Sequence, residues 1–507
     1  MSIIDEQSAD SPKAAANKPT AKSKASPAPI SHVHGFDALN DELDYVIPYE
    51  RVKGSVPTAI RGTFFRIGPG RNKIGNDKFG HWFDGDGMMN AVSFTEEGVI
   101  YRNKYVRTPK YRAESKANKI VMRSFGHNAP GGILKNAGRL PANCANTSLV
   151  YHGGKLLALW EGGRPWRLDP STLDTIGPFD YHGRLGQANA FSAHGKVNAR
   201  TGAYFNFGVR PSFAPKDILQ GKGAIDLYKV APSGYLVQKG SIETDYLSFC
   251  HDYALTENYM IFFVSPIAMK SPIPWLAGIE PFDQAISWQP DLGMKVYVVR
   301  TADFKVARTF TIPQPFIAIH FSNAWETPSG KIHLDLTRFE DFSVNELLRD
   351  VFNRDANGAA GTFWRYTLDL GADQITAQQY DAALPGEFPQ WDPRRTTQET
   401  QFIYAACMMS DNSTFFDGVQ RIDTASGEVV SHSLGEGRFT SEAMFIPSPA
   451  SNQEGDGWLI SMVYNAVKHR SEVVIFHAQT LAELAVVPLN NHVPFGFHCG
   501  YTSESFV

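Results

Sequence analysis

Residues 90–108, NAVSFTEEGVIYRNKYVRT, alternate apolar and polar side chains on either side of Glu96, Glu97 and Gly98. A period of two sends one set of side chains to a buried face and the other to solvent, and the central Gly supplies a turn, so the stretch reads as an antiparallel hairpin. Residues 420–433, QRIDTASGEVVSHS, repeat the arrangement around Ala425, Ser426 and Gly427. Units of the same kind recur at 156–175, 252–264, 295–311, 324–337 and 472–489. They share turn chemistry more than sequence. Helical signals are few: VNELLRDVFNR at 344–354 is the clearest, and neither it nor the Pro-rich stretch 265–289 fits a hairpin.

Hairpins strung along about 470 residues can build a propeller, a pair of sandwiches or a β-helix. The 507-residue length by itself suggests about three domains at roughly 150 residues each. A propeller absorbs the whole length as one unit, because radial sheets pack on one another and leave only short edges. Blades of about 45 to 65 residues would number seven to ten, and propellers run from four to eight, so the pattern predicts an all-β propeller of seven or eight blades. Irregular insertions would gather as loops over one face, where function usually sits. Residues 1–33, rich in Ser, Ala, Lys and Pro, read as a flexible tail, and 34–507 as a single propeller domain.

Composition narrows the function. Lys plus Arg number 48 against 52 Asp plus Glu, a net charge of −4, which lacks the concentrated basic surface that nucleic acid requires. Four Cys without a CxxC pair make no disulfide framework, and a reducing, cytoplasmic setting is expected. The longest apolar run, 259–269, covers about half of the roughly 20 residues needed to span a bilayer as a helix. Asp5, Glu6 and Asp10 argue against a transit peptide. No protein partner is implied.

Four of the fifteen His share a setting: His194 in AFSAHGKVN, His251 in SFCHDYALT, His320 in AIHFSNAWE and His498 in FGFHCGYTS. Each follows apolar or aromatic residues and precedes a short polar or Gly-containing stretch, as at the inner end of a strand. Their spacing is far too wide for a local metal motif, so any joint action requires the fold to bring them together. A propeller does so, because every innermost strand faces one axis. Cys250 and Cys499 adjoin two of these His, but successive side chains on a strand point to opposite faces, so both Cys are expected to pack away from any metal. Four neutral imidazoles suit Fe(II), Cu, Ni or Zn, and the ligand type alone does not choose among them.

FFRIGPGRN at 64–72, HWFDGDGMM at 81–89, ANTSLVYHGGKLLALWEGGRPWRLDP at 145–170, HDYALTENYMIFF at 251–263, GEFP at 386–389, GDGW at 455–458 and VPFGFHCG at 493–500 together resemble the carotenoid cleavage oxygenase family. The resemblance implies a seven-bladed propeller, capped by loops and short helices over its iron face, with one Fe(2+) per chain on His194, His251, His320 and His498. It implies three carboxylates behind the ligands: Glu161 in LALWEGG, Glu387 in GEFP and Glu442 in TSEAMF, where the family's usual Gly-Glu-Pro has become Ser441, Glu442 and Ala443. Thr147 matches a position that crowds the vacant coordination site, and Phe83, Trp160 and Phe249 match positions lining the substrate tunnel. The implied reaction is scission of a conjugated alkene by O2 to two carbonyl products, without a Ser or Cys nucleophile.

Members acting on lignostilbenes tend to carry Lys at the position of Trp160, so the sequence looks closer to the apocarotenoid-cleaving branch. That implies apocarotenals or apocarotenols cut at the 15,15′ double bond to give retinal. A stilbene or other aromatic alkene is the alternative, and a non-catalytic propeller that binds partners or lipid is a third reading. Such polyenes dissolve in membranes, so a peripheral membrane contact is expected at 131–140 or at 273–282 (IPWLAGIEPF).

Overall fold

Seven antiparallel sheets of four to six strands follow one another along the chain as the blades of a propeller. The computed structural model describes residues 30–212, 216–217, 221–247, 250–269, 271–352 and 360–507. The first hairpin forms as read: Gly87–Phe94 pairs with Val99–Tyr105, and Phe94 faces Val99 across the turn. Val99–Tyr105 alternates buried and half-buried residues at every step. The other six expected hairpins are present as well.

Blade 1 runs, from its outer edge inward, Asp44–Ile47, Val99–Tyr105, Gly87–Phe94, Gly62–Pro69 and Cys499–Thr502. Blades 2 to 6 begin at their innermost strands, Ser148–His152, Lys196–Val197, Ala254–Leu255, Ile317–Glu326 and Gly386–Gln390, and each proceeds outward in chain order. Blade 7 has Arg438–Phe439 and Ala443–Pro447 inside, and Lys53–Gly54 pairs with Glu483–Pro488 at its outer edge. The ring therefore closes through strands from opposite ends of the sequence, in blades 1 and 7 alike.

Each pair of neighbouring blades encloses its own apolar core. Phe205, Phe207 and Leu227 of blade 3 meet Leu255, Met260 and Phe262 of blade 4, and Phe64, Val92 and Tyr101 of blade 1 meet Ile460, Met462 and Ile475 of blade 7. Five further clusters fill the remaining interfaces. Another group is mainly aromatic and lies outside the interfaces: Phe36, Trp82, Phe388, Phe415, Phe495 and Phe497 join Val351 in a cap over the axis.

Helices are short. Ser343–Asp350 realises the first part of the expected 344–354 helix, while 353–359 lie outside the described residues. The Pro-rich 265–289 stretch holds a two-stranded sheet, Ile267–Met269 with Ile286–Trp288, and the single-turn helices Ile273–Leu276 and Phe282–Ala285. The helix Pro109–Ala117 went unread; Thr108 Oγ1 accepts the Tyr111 N–H at 3.1 Å and Pro109 opens the first turn, a cap and proline pair that favours a helix start. Of the expected tail 1–33, residues 1–29 lie outside the described residues. Ser31 to Val33, assigned to that tail, instead join the body: His32 is buried, stacks on Phe415 and hydrogen-bonds Thr414 Oγ1 at 3.0 Å.

Candidate metal centre

Each innermost strand delivers one side chain toward the axis. His498 immediately precedes Cys499–Thr502, Thr147 precedes Ser148–His152, and His194 and His251 stand just before the inner strands of blades 3 and 4. His320 and Glu387 lie within the inner strands of blades 5 and 6, and Glu442 precedes Ala443–Pro447 of blade 7. Separations of 57, 69 and 178 residues along the sequence thus collapse to one point, because each corresponds to one or more whole blades. His194, His251, His320 and His498 offer nitrogens that all lie within 4.8 Å of one another. His251 Nε2 and His320 Nε2 are 3.2 Å apart.

Three of the four rings are held from behind by a carboxylate. His251 Nδ1 lies 2.6 Å from Glu161 Oε1, His320 Nδ1 is 2.5 Å from Glu387 Oε2, and His498 Nδ1 is 3.2 Å from Glu442 Oε1. A carboxylate on Nδ1 fixes the proton there and leaves Nε2 as the basic atom toward the axis. Glu387 also accepts from Thr337 Oγ1 at 2.6 Å and from the Phe388 N–H. Glu442 accepts from Gln390 Nε2 at 2.7 Å and from the Cys499 N–H. His194 differs, since its backbone N–H meets Ser192 Oγ at 3.1 Å while its ring Nε2 is buried with no hydrogen-bond partner.

The electrostatics favour a neutral imidazole at His194 and His320. Burial, reinforced by the three neighbouring rings, drives the His194 pKa well below its ordinary value. Burial also lowers His320 against the opposing pull of Glu387. Burial lowers His251 too, but the charge and hydrogen bond of Glu161 outweigh it and leave a net rise. Burial would raise Glu387, yet His320, Thr337 and the Phe388 N–H together hold it below the usual carboxylate range.

The donor set fits a borderline divalent metal. Bonds of about 2.1 Å to one ion would set nitrogens about 3 to 4 Å apart; His251 Nε2 and His320 Nε2 already stand 3.2 Å apart, and all four donors lie within 4.8 Å of one another. An imidazole nitrogen buried without a partner, as in His194, costs free energy unless something accepts its lone pair. The two adjacent Cys stay out of the cluster: Cys250 belongs to the core between blades 3 and 4, and Cys499 packs against the core between blades 1 and 7.

Two supports escaped the sequence reading. Lys196, two residues after His194, reaches Asp252 Oδ2 at 3.3 Å and the Phe321 carbonyl at 3.2 Å, while Asp252 Oδ2 accepts the Phe321 N–H at 2.8 Å. This buried pair locks together blades 3, 4 and 5 beside the three ligands they carry. The HGK and HDY contexts held the signal, two opposite charges each next to a candidate ligand. Gly87 of FDGDGM is the second support: a Cβ there would stand 1.9 Å from the Ala145 carbonyl oxygen. Only Gly lets blade 1 lie this close to the segment carrying Thr147.

Thr147 donates from Oγ1 to Asn146 Oδ1 at 3.0 Å, and Asn146 Nδ2 donates to the carbonyls of Phe83 and Gly85 at 2.9 and 2.7 Å. Thr147 and Phe83 line an apolar cavity that contains His251, His320, His498 and Glu387 and continues among Ile317, Val344, Leu348, Phe388 and Phe416. Trp160 lines a second apolar cavity with Glu161, Phe125, Phe207, Trp275 and Phe282. His251 lines the first cavity and Glu161 the second, with His251 Nδ1 2.6 Å from Glu161 Oε1. Phe249 lies outside the described residues.

Residues 36–503 match the family described as retinal pigment epithelial membrane protein. The apocarotenoid-15,15′-oxygenase of a Synechocystis species is 32% identical, over 94% of this chain and 97% of its own. The isoeugenol monooxygenase of Pseudomonas nitroreducens is 28% identical over 85% and 89%. The crystal structure of the cobalt-substituted Synechocystis oxygenase superposes with a TM-score of 0.84 at 30% identity, over 93% of this chain and 98% of that one. Seven blades, four converging imidazoles and a match over nearly the whole propeller agree: the chain belongs to the carotenoid oxygenase family, the family of retinal pigment epithelial membrane protein, and is an oxygenase.

Proposed function

We propose that the chain cleaves the 15,15′ double bond of an apocarotenal or apocarotenol with O2, giving retinal and a second carbonyl product. The observation that carries the reading is the set of four imidazoles, three of them backed by carboxylates, opening on a cavity whose other walls are almost wholly apolar. His194, His251, His320 and His498 would hold one Fe(2+), which supplies the one-electron chemistry that lets triplet O2 react with a closed-shell alkene. The protein's own work is different. Glu161, Glu387 and Glu442 keep protons on the Nδ1 atoms, Thr147 narrows the space beside the ligands, and the aromatic walls exclude water and hold one double bond in place. In the net reaction the alkene bond breaks, and each of its two carbons gains one oxygen atom.

An exposed apolar surface supports the same reading. Leu134 is 93% exposed, and with Ile133, Leu140, Ile273, Leu276 and Ile279 it forms an apolar patch contributed by both expected contact segments. Arg123 binds the segments together by donating to the carbonyls of Asn136, Arg139, Trp275 and Glu280. Leu140, Trp275 and Phe282 also line the second cavity, so a chain resting on a cytoplasmic membrane surface would draw substrate directly from it. Among the described residues no helix is long and apolar enough to cross a membrane.

A second reading, cleavage of an aromatic alkene, draws on the likeness to isoeugenol monooxygenase. Trp160, where a Lys could meet a phenolate, weighs against it. The test is a side-by-side assay of an apocarotenal and a hydroxystilbene under ¹⁸O2, with metal content measured on the same sample. One iron per chain, retinal as product and label in both carbonyls support the proposal. Turnover of the stilbene alone transfers it to the second reading, and full activity of His251→Ala or His320→Ala overturns the ligand set.

A further inference from the structure

The cavity beside the imidazoles carries little polarity of its own. Apart from Thr147, Glu387 and the His at the centre, its lining offers hydrogen-bonding side chains only at the Trp82 indole and at Asn345. Asn345 lies on the helix Ser343–Asp350, between the cavity-lining Val344 and Leu348, and is 6% exposed.

His81 sets what Asn345 can offer. The ring is fully buried, and its Nδ1 accepts the Phe83 N–H at 3.1 Å. Burial also lowers its pKa to about 4. A neutral ring whose Nδ1 is accepting carries its proton on Nε2. That Nε2 is buried, and the side-chain amide and backbone of Asn345 are among the groups that interact with the ring. A donor facing a side-chain amide draws the amide oxygen toward itself, which leaves the NH2 group for the cavity.

Two N–H donors on an apolar wall are costly to cover with hydrocarbon and favourable to cover with an oxygen. We propose that Asn345 determines specificity by donating a hydrogen bond to the terminal oxygen of an elongated polyene, so that the cavity selects an aldehyde-ended chain over a hydrocarbon of equal length. This rests on the reading of the cavity as a polyene site. It goes beyond that reading by naming which end group is recognised and by which atoms.

The experiment compares an apocarotenal with a hydrocarbon polyene of the same conjugated length, on the iron-loaded enzyme and on Asn345→Leu. Binding is read by quenching of tryptophan fluorescence, and cleavage by product formation. One neutral hydrogen bond predicts that aldehyde binding weakens about 3- to 10-fold in the variant while hydrocarbon binding holds or tightens. The ratio of kcat/KM for the two substrates should fall by the same factor. Equal changes for both polyenes, or none for either, overturn the proposal. Asn345→Ala, which adds no bulk, removes the same donors and is read in the same way if the Leu variant folds poorly. A wild type that prefers the aldehyde in binding but cleaves neither polyene would sink the reaction assigned above and leave this inference standing. Cleavage of both with an unchanged ratio in the variant would do the reverse.

Discussion

Replacing Glu387 separates its two tasks, holding the fold and tuning a ligand. The carboxylate is 5% exposed and accepts from three donors: His320 Nδ1 at 2.5 Å, Thr337 Oγ1 at 2.6 Å and the Phe388 N–H. Glu387→Ala strands all three in a buried site, and each orphaned donor costs about 1–3 kcal/mol, so a loss of at least about 3 kcal/mol is expected. Glu387→Gln keeps the shape. Its amide oxygen can take the place of Oε2 before His320 and Phe388, and its NH2 can donate to Thr337 Oγ1, whose hydroxyl then turns to the His320 carbonyl 3.3 Å away. Stability should therefore fall by only about 1 kcal/mol, the scale of one neutral hydrogen bond. The negative charge behind His320 is lost in either variant, and losing such a partner typically costs 10- to 100-fold in metal affinity or activity. Urea denaturation reads the first quantity, and chelator competition with turnover reads the second. A Gln variant with wild-type metal affinity and kcat would refute the view that Glu387 tunes its ligand, and an Ala variant as stable as wild type would refute the accounting of its donors.

Other outcomes follow from the same geometry. Lys196→Met leaves Asp252 charged and buried, which should cost about 3–5 kcal/mol in denaturation and weaken metal retention, as three ligand-bearing strands lose a shared tie. Gly87→Ala drives a methyl into the Ala145 carbonyl; activity should collapse with displacement of Thr147, and a crystal structure with residues 145–147 unmoved would contradict this. Leu134→Asp, at a side chain 93% exposed, should leave the melting temperature unchanged yet weaken binding to lipid vesicles tenfold or more, the scale of burying one Leu. His32, with a pKa lowered to about 4 by burial, binds its proton more readily when unfolded. The folded chain should therefore lose stability as pH falls from about 6.5 to 4, and His32→Phe should flatten that slope in urea titrations.

The hairpins were legible because period two and turn residues are local properties, and all seven stretches singled out pair as read. Blade number needed more, since the turns repeat without a repeating sequence. The four imidazoles stood out by their apolar approach and polar exit, but their convergence is a property of ring closure that spacing alone cannot express. Thr108 and Pro109 marked a helix start that the abundance of strands obscured. Lys196 and Asp252 went unread because their partnership spans 56 positions, and Asn345 because a helix with one polar residue toward a cavity looks like any amphipathic helix. Of the two segments expected to meet a membrane, 131–140 is interrupted by Lys135, Asn136, Gly138 and Arg139, and its apolar side chains join those of 273–282 only because Arg123 holds the two segments side by side.

The innermost strand of blade 1 comes from the far end of the sequence, and His498 sits at its threshold. Pairing Cys499–Thr502 with Gly62–Pro69 is therefore the same event as delivering the fourth imidazole. Metal uptake and ring closure are then linked equilibria: a bound ion adds RT ln(1 + [M]/Kd) to the stability of the closed ring, and an open ring has only three of its ligands in place. The ion works as a rivet as well as a reagent. Without the ion, the pairing of Cys499–Thr502 with Gly62–Pro69 inside blade 1 loses that added stability, so metal supply would set how long each copy of the chain survives proteolysis.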